Sequence, residues 1–435
     1  MEWWLTLSIA LSVLFLLLFI GVPVFVSFLV INVIGVFALF GSRGFGLFAN
    51  SILETATSPS LITIPLFVLM GELLFHSGTV DVLFQSVDKL IGRVKGRLYV
   101  LVVALSTVFG ALSGSAVAVA AMLGRSVLPR MIAHGYDEKL SVSTILGGAS
   151  LAPIIPPSLL VVIVGSLVKD VSISGLLVAG ILPGLLLAGL LLAFVAWRVF
   201  RTPGLVPPQE DEAPASLLEK FWALIKMAPF GIIIFMVMGL IMLGVATPSE
   251  AAATGVLGAL MTAAFYRRLN FQMIWRATVS AVGISAMILV IIASSKLFSQ
   301  LLSFTGATGG MIEAVTAVDL PHWLMFVALM AVPFFLCMFI DQFAFMLLAI
   351  PLYEPILAVY GYEPIWFWMI FLINLTVGSL TPPFGYTLFA MKGASDGMSM
   401  QTVFGSAWPI VGIFIAGMTI LAFAPGIVTW LPSQF

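Results

Sequence analysis

One cysteine, Cys337, stands in 435 residues, so no disulfide can close within the chain and no zinc site can be built from several thiolates. The three histidines, His76, His134 and His322, lie far apart in sequence, which argues against an imidazole-based metal site. Charge is also scarce: 9% of residues are charged, against about a quarter in soluble globular proteins. Lys+Arg number 18 and Asp+Glu 19, for a net charge of −1, which excludes a nucleic-acid binder working by phosphate neutralisation. So few charges also exclude a soluble enzyme as a class. No Gly-x-x-x-x-Gly-Lys-Ser/Thr run is present, nor a soluble stretch long enough for an ATPase. No stretch alternates with period two, which excludes a transmembrane β-barrel.

What the sequence has in abundance is apolar residues, 61% of the chain. Apolar stretches fall at 3–20, 22–40, 60–78, 98–129, 141–168, 174–199, 223–245, 250–266, 278–302, 322–352, 365–391 and 408–432. Helices satisfy their own backbone in lipid, so these stretches predict an all-α polytopic membrane protein. The first stretch has no basic start and no small-residue cleavage site, and is expected to be a retained helix. Basic residues cluster at 89–97, 125–139, 198–226 and 267–276, and the positive-inside rule puts these loops in the cytoplasm. Stretches 303–321 and 353–364 carry Glu313, Asp319, Glu354 and Glu363 without a base, and are expected outside. The polar, Pro-rich segment 202–219 divides the chain near its middle.

A shift of 226 residues lays the second half on the first without gaps. Pro129 meets Pro355, Gly135-Tyr136 meets Gly361-Tyr362, Pro156-Pro157 meets Pro382-Pro383, Asp170 meets Asp396, and Pro183 meets Pro409. The Gly135-Tyr136 loop is basic and its counterpart acidic, so the expected arrangement is two inverted repeats, the usual construction of secondary transporters.

Stretch 98–129 is too long for one upright helix and too short for two spans. Gly110 and Ser113-Gly114-Ser115 are its expected interruptions, and Pro333 that of its mate 322–352. Both are expected to be re-entrant hairpins, each of two half-helices meeting at a mid-membrane tip. Non-helical backbone at that depth survives only when buried in protein or lining a wet cavity. The shift pairs Ser115 with Asp341. An acid at that depth is costly and marks function; the alternative is a cap or salt bridge within the bundle. The next segments, 147–158 and 376–385, each hold adjacent prolines, which free carbonyls one turn earlier and predict unwound helices. Free carbonyls with Ser or Thr hydroxyls suit Na⁺, and half-helix N-termini suit a carboxylate. Glu72, Glu250 and Lys296 are expected to be structural or interfacial. Arg43, Glu54 and His76 are expected near head groups or a partner. The tryptophans, mostly at segment ends, form an aromatic belt.

Phe109-Gly-Ala-Leu-Ser-Gly-Ser115, Gly135-Tyr136-Asp137, Ile155-Pro-Pro-Ser158, Met338-Phe-Ile-Asp341 and Leu380-Thr-Pro-Pro383 resemble the large membrane (M) subunit of tripartite ATP-independent periplasmic (TRAP) transporters, in order and spacing through nearly the whole chain. The resemblance implies the ion-transporter superfamily fold, a scaffold plus an elevator-type transport domain. It implies residence in the bacterial inner membrane, a small four-helix membrane subunit and a soluble periplasmic substrate-binding protein as partners, and import of a small organic anion driven by Na⁺, with two or more coupling ions. Carried over by motif, one Na⁺ site takes Gly110, Ser113, Ser150, Ile155 and Pro157, and a second takes Cys337, Gly378, Thr381 and Phe384. Ser113, Ser158 and Asp341 are the implied substrate contacts. The chain departs from the pattern at Phe334, Cys337 and Ala344. Implied domains are 1–97 and 223–321 for the scaffold with its arms, 98–199 and 322–435 for the transport domain, and 200–222 for a cytoplasmic linker. Stretches 41–59 and 79–97 are amphipathic and are expected to lie along the interface. The alternative is a stand-alone ion-coupled carboxylate carrier of the same superfamily.

Overall fold

The computed structural model describes residues 2–92, 94–207, 216–395 and 397–435. Arg93, Asp396 and residues 208–215 of the Pro-rich linker fall outside the described residues. The described chain is helical. In order it runs α1 (Trp3–Phe19), α2 (Val24–Phe40), α3 (Phe45–Thr57), α4 (Thr63–His76), α5 (Val80–Ile91), α6 (Arg97–Ser113), α7 (Ala116–Ser126), α8 (Leu128–Ala133), α9 (Glu138–Ala149), α10 (Leu159–Leu167), α11 (Ile173–Ala179) and α12 (Ile181–Arg201). The second half has α13 (Leu217–Ile234), which passes through a π-helical turn, Phe235–Gly239, into α14 (Leu240–Met242). It continues with α15 (Pro248–Phe265), α16 (Phe271–Phe304), α17 (Ala307–Ala317), α18 (His322–Leu336), α19 (Gln342–Tyr360), α20 (Pro364–Leu380), α21 (Tyr386–Ala394), α22 (Met400–Phe423) and α23 (Gly426–Thr429). Seven helical stretches among the described residues are long and apolar enough to cross a membrane.

The repeat extends far beyond the motifs that reveal it. Adding 226 to α2 gives 250–266, the place of α15, and adding it to α5 gives 306–317, the place of α17. The pair α3–α4 maps onto the single helix α16, α6 onto α18, α7–α8 onto α19, α9 onto the start of α20, α10 onto α21, and α11–α12 onto α22. Packing repeats as well. Helix α1 rests on α2 and α17, as α13 rests on α15 and α5; α2 packs on α16, as α15 packs on α4.

The two copies run in opposite senses. Helix α7 lies beside α21 with C-terminal turns level, since a Cβ on Gly124 would stand 3.0 Å from the Ala394 Cβ and 3.2 Å from the Met391 sulfur. Helix α10 lies beside α19, and the Lys169 amide just past its end donates to Glu354 at 3.1 Å. Helices α6 and α9 start together at Leu98 and Tyr136 and run to the tip, where α7 turns back and α10 runs on, so α21, the copy of α10, runs with α7 and against α10.

Both re-entrant hairpins form, with narrower breaks than the sequence suggests. Helix α6 continues unbroken through Gly110 to Ser113, and α18 through Pro333 to Leu336. The chain reverses only at Gly114 (φ +63°) and over 337–341. Proline at 333 removes the donor for the Leu329 carbonyl, and the Tyr353 hydroxyl of α19 donates to that carbonyl at 3.0 Å instead. Pro351 likewise frees the Leu347 carbonyl inside α19, which accepts from the Ser295 hydroxyl of α16.

The charged residues expected to be structural are paired or capping. Glu250 closes a capping box with Thr247 at the start of α15. Glu72 and His76 pair at 3.3 Å on α4, and Lys296 pairs with Glu54 at 3.1 Å between α16 and α3.

Candidate ion and substrate site

Each hairpin tip is held against the unwound segment of its own repeat by a glycine contact. A Cβ on Gly110 would lie 2.8 Å from the Ala152 Cα, so α6 touches segment 150–158 backbone to backbone. At the tip, a Cβ on Gly114 would lie 2.9 Å from the Leu159 amide and 3.5 Å from the Ser158 Cα. In the second repeat the glycine is on the other partner. A Cβ on Gly378 of α20 would stand 2.5 Å from the Cys337 Cβ and 3.1 Å from the Phe334 carbonyl. Phe339 of this tip also meets Phe384 of the second unwound segment, ring centroids 5.6 Å apart.

Four half-helix N-termini belong to this region: α7, α10, α19 and α21. Ser115 caps α7 by accepting from the Ala118 amide, and Ser158 caps α10 by accepting from the Val161 amide. Asp341 caps α19 by accepting from Phe343 and Ala344 at 2.9 and 3.3 Å. The paired positions Ser115 and Asp341 therefore do the same local work. Gly385 precedes α21 and offers no side chain, so the first amides of α21 are left to other acceptors.

The unwound segments expose acceptors. Among the described residues no hydrogen bond reaches the carbonyls of Ile155, Pro156 and Pro157, or those of Thr381, Pro382, Pro383 and Phe384. The Cys337 carbonyl is likewise unbonded. Both Pro-Pro bonds, Pro156-Pro157 and Pro382-Pro383, are cis. Ser150 and Thr381 donate their hydroxyl protons to Leu146 and Val377 carbonyls at 2.9 and 2.7 Å, which aims oxygen lone pairs away from their own helix. Ser158 donates to the Pro153 carbonyl at 2.5 Å. These carbonyls and hydroxyls are hard oxygen donors, the chemistry a small alkali cation takes. No group of three His, Cys, Asp or Glu side chains occurs among the described residues, so such a cation would be held mainly by backbone oxygen.

Gly110, Ser150, Ile155 and Pro157 lie in segments in direct contact, as do Cys337 and Gly378. Ser150, Ser158, Cys337 and Thr381 are buried, Ser113 and Asp341 half-buried, and Phe384 is exposed.

One contributor was absent from the sequence reading. Gly71 of α4 packs on the first tip, where a Cβ would lie 3.3 Å from the Leu112 carbonyl and 3.5 Å from the Ser113 Cα. A glycine at the end of the apolar run 64–71 was the available signal.

The paired tyrosines close the open ends of the hairpins. The Tyr136 hydroxyl accepts from the Leu98 amide at 3.4 Å, and the Tyr362 hydroxyl donates to the His322 carbonyl. Each ties the turn before the broken helix to the first turn of its hairpin. Burial raises the Tyr136 phenol above its ordinary range. Burial, with repulsion from Tyr360, pushes Tyr362 up to about 12. Both therefore stay protonated at neutral pH.

The family described as "Tripartite ATP-independent periplasmic transporter, DctM component" matches residues 11–427. The ectoine TRAP transporter large permease protein TeaC of Halomonas elongata is 28% identical, over 95% of this chain and 96% of its own. The C4-dicarboxylate TRAP transporter large permease protein DctM of Pseudomonas aeruginosa is 28% identical, over 88% and 89%. The sialic acid TRAP transporter permease protein SiaT of Haemophilus influenzae is 26% identical, over 98% of this chain and 68% of its own. Among solved structures, the YdaH transporter of Alcanivorax borkumensis shares the fold, with a TM-score of 0.66 at 11% identity over 91% of this chain and 90% of that one.

Proposed function

Since the chain belongs to the DctM family of tripartite ATP-independent periplasmic transporters, we propose that it is the large permease subunit of a Na⁺-driven importer for a small organic anion. It is a multi-pass membrane transporter component and not an enzyme. In this reading it resides in the bacterial inner membrane. It works with a small four-helix membrane subunit and receives its substrate from a soluble periplasmic binding protein.

The observation that carries the proposal is the pair of unwound segments, each with a run of unbonded carbonyls set against a hairpin tip. One Na⁺ is assigned to Gly110, Ser113, Ser150, Ile155 and Pro157, and a second to Cys337, Gly378, Thr381 and Phe384. Bound cations would replace the missing donors at those carbonyls and hold each tip on its unwound segment. The substrate carboxylate is assigned to the space bounded by Ser113, Ser158 and Asp341. There the positive ends of α7, α10 and α21 favour an anion, while Asp341 demands a hydrogen-bond donor or a cation on the same ligand. Relatives named for ectoine, C4-dicarboxylates and sialic acid support the anionic or zwitterionic small-molecule class without choosing within it.

The mobile part is assigned to 98–199 and 322–435, sliding as an elevator against 1–97 and 223–321. The contact of Gly71 with the first tip and that of Ser295 with α19 lie on the boundary so drawn.

The test is cation-dependent stability of the purified chain. Na⁺ is expected to raise the melting temperature where K⁺ does not. Ser113→Ala and Thr381→Ala are each expected to raise the Na⁺ concentration needed for half the effect. An unchanged Na⁺ dependence in both variants removes the ion-site assignment.

A further inference from the structure

A basic and aromatic surface lies away from the hairpins, at the turn between α15 and α16. Four cations gather on this edge: Lys226 of α13, Arg267 and Arg268 of the turn, and Arg276 of α16. All four are exposed, and none forms an ion pair among the described residues. The one acid on α15, Glu250, caps its far end.

The turn is rigidly built. The amides of Arg267 and Arg268 donate to the Ala264 and Ala263 carbonyls at 2.9 and 2.8 Å, and that of Leu269 to Ala263 at 3.2 Å, closing α15. Asn270 caps α16, accepting from the Met273 amide at 2.8 Å and donating to the Arg268 carbonyl at 3.4 Å. Arg267 sits at φ +56°, where a glycine would be easier. The Tyr266 hydroxyl donates to the Lys226 carbonyl, which fixes α13 beside the turn. Side chains on a helix lean toward its N-terminus, so Arg276 leans back toward the first turn of α16.

Directly beyond the cations the surface turns apolar. Phe271 and Trp275 stack at 6.5 Å and are 80% and 60% exposed. Val279 and Val282 continue that face on α16, and Met261 and Phe265 near the end of α15 are exposed as well. A ligand that fits has a compact anionic head and an apolar tail. The fold itself does not require the arginines. The 226-residue shift puts Gly41 and Ser42 at the places of Arg267 and Arg268, in the turn that the inversion carries to the other side.

We propose that Lys226, Arg267, Arg268 and Arg276 bind the phosphate head group of an anionic phospholipid, with Phe271 and Trp275 against its acyl chains. The site holds one lipid of the cytoplasmic leaflet beside α15, where the charge pattern of the chain puts this turn. Free phosphate offers the same head-group chemistry but leaves the aromatic face uncovered.

The test is native mass spectrometry of the purified full-length chain with phosphatidylglycerol, phosphatidylcholine or inorganic phosphate. Phosphatidylglycerol is expected to stay bound where phosphatidylcholine does not. Arg276→Gln is expected to weaken it about fivefold, and the Arg267→Gln/Arg268→Gln/Arg276→Gln variant about a hundredfold, from roughly one fivefold step per charge near an anionic surface. Lys95→Gln/Lys139→Gln, on other basic turns, is expected to leave it unchanged. Should the triple variant fail to assemble, Arg276→Gln and Trp275→Ala carry the test alone. Equal loss in the Lys95/Lys139 control, full retention in the arginine variants, or displacement by inorganic phosphate would overturn the proposal.

Discussion

Two of the prolines inside helices, Pro333 and Pro351, free carbonyls that a hydroxyl from a neighbouring helix takes up. The Leu329 carbonyl takes the Tyr353 hydroxyl, and the Leu347 carbonyl takes the Ser295 hydroxyl. Asn374, fully buried, donates to the Met330 carbonyl, so this stretch of α18 is gripped from α19 and α20 together. A buried carbonyl left without a donor destabilises, and interhelical bonds inside membranes are worth somewhat less than in water. Tyr353→Phe and Ser295→Ala are each therefore expected to cost about 1 kcal/mol, read as a lower midpoint of unfolding in detergent. Asp341 carries two separable roles at the same scale. Its cap on α19 survives in Asp341→Asn and is lost in Asp341→Ala, which costs about 1 kcal/mol. Its charge is lost in both. Both variants are expected to insert and neither to transport, with only the alanine variant melting lower. Normal transport by Asp341→Asn would reduce the residue to a cap.

At the scale of elements, glycine sets how closely a tip approaches an unwound segment. Gly110→Ala would force a Cβ to within 2.8 Å of the Ala152 Cα, with backbone and not a flexible side chain in the way. The tip is expected to lift. The Na⁺ concentration for half-maximal stabilisation is expected to rise, with helix content unchanged by circular dichroism; an unaltered Na⁺ response would show that the contact does not shape the ion site. Sequence revealed these elements unevenly. Ser113-Gly114-Ser115 marks the first tip because Gly114 takes a left-handed backbone, and adjacent prolines mark both unwound segments. Gly110 and Pro333 looked like breaks and are not. Gly110 is there for close packing, and Pro333 is tolerated because Tyr353 replaces its donor. The second tip, 337–341, holds neither glycine nor proline, and only its repeat partner betrayed it. Gly71 was missed because a glycine in an apolar run does not say which neighbour comes close.

At the scale of the whole molecule, the repeat seen in about 50 positions of sequence proves to organise nearly the whole chain. Helices α2 and α15 share a place in the repeat with little shared sequence. An apolar helix face can be filled by many residue combinations, whereas a tip or an unwound turn cannot. Inversion of the copies brings half-helices of different repeats side by side and running together, α7 with α21 and α19 with α10, and this juxtaposition frames the candidate site. The proposed ion coupling, substrate delivery and sliding of one part against the other would be properties of an assembled machine. One measurement reaches them together: uptake into proteoliposomes under an imposed Na⁺ gradient, using a labelled C4-dicarboxylate, sialic acid and ectoine as probes. The chain is assayed with and without the small membrane subunit and the binding protein. The account predicts uptake of one class only when all three components and the Na⁺ gradient are present. Uptake by this chain alone, or uptake indifferent to Na⁺, would contradict it.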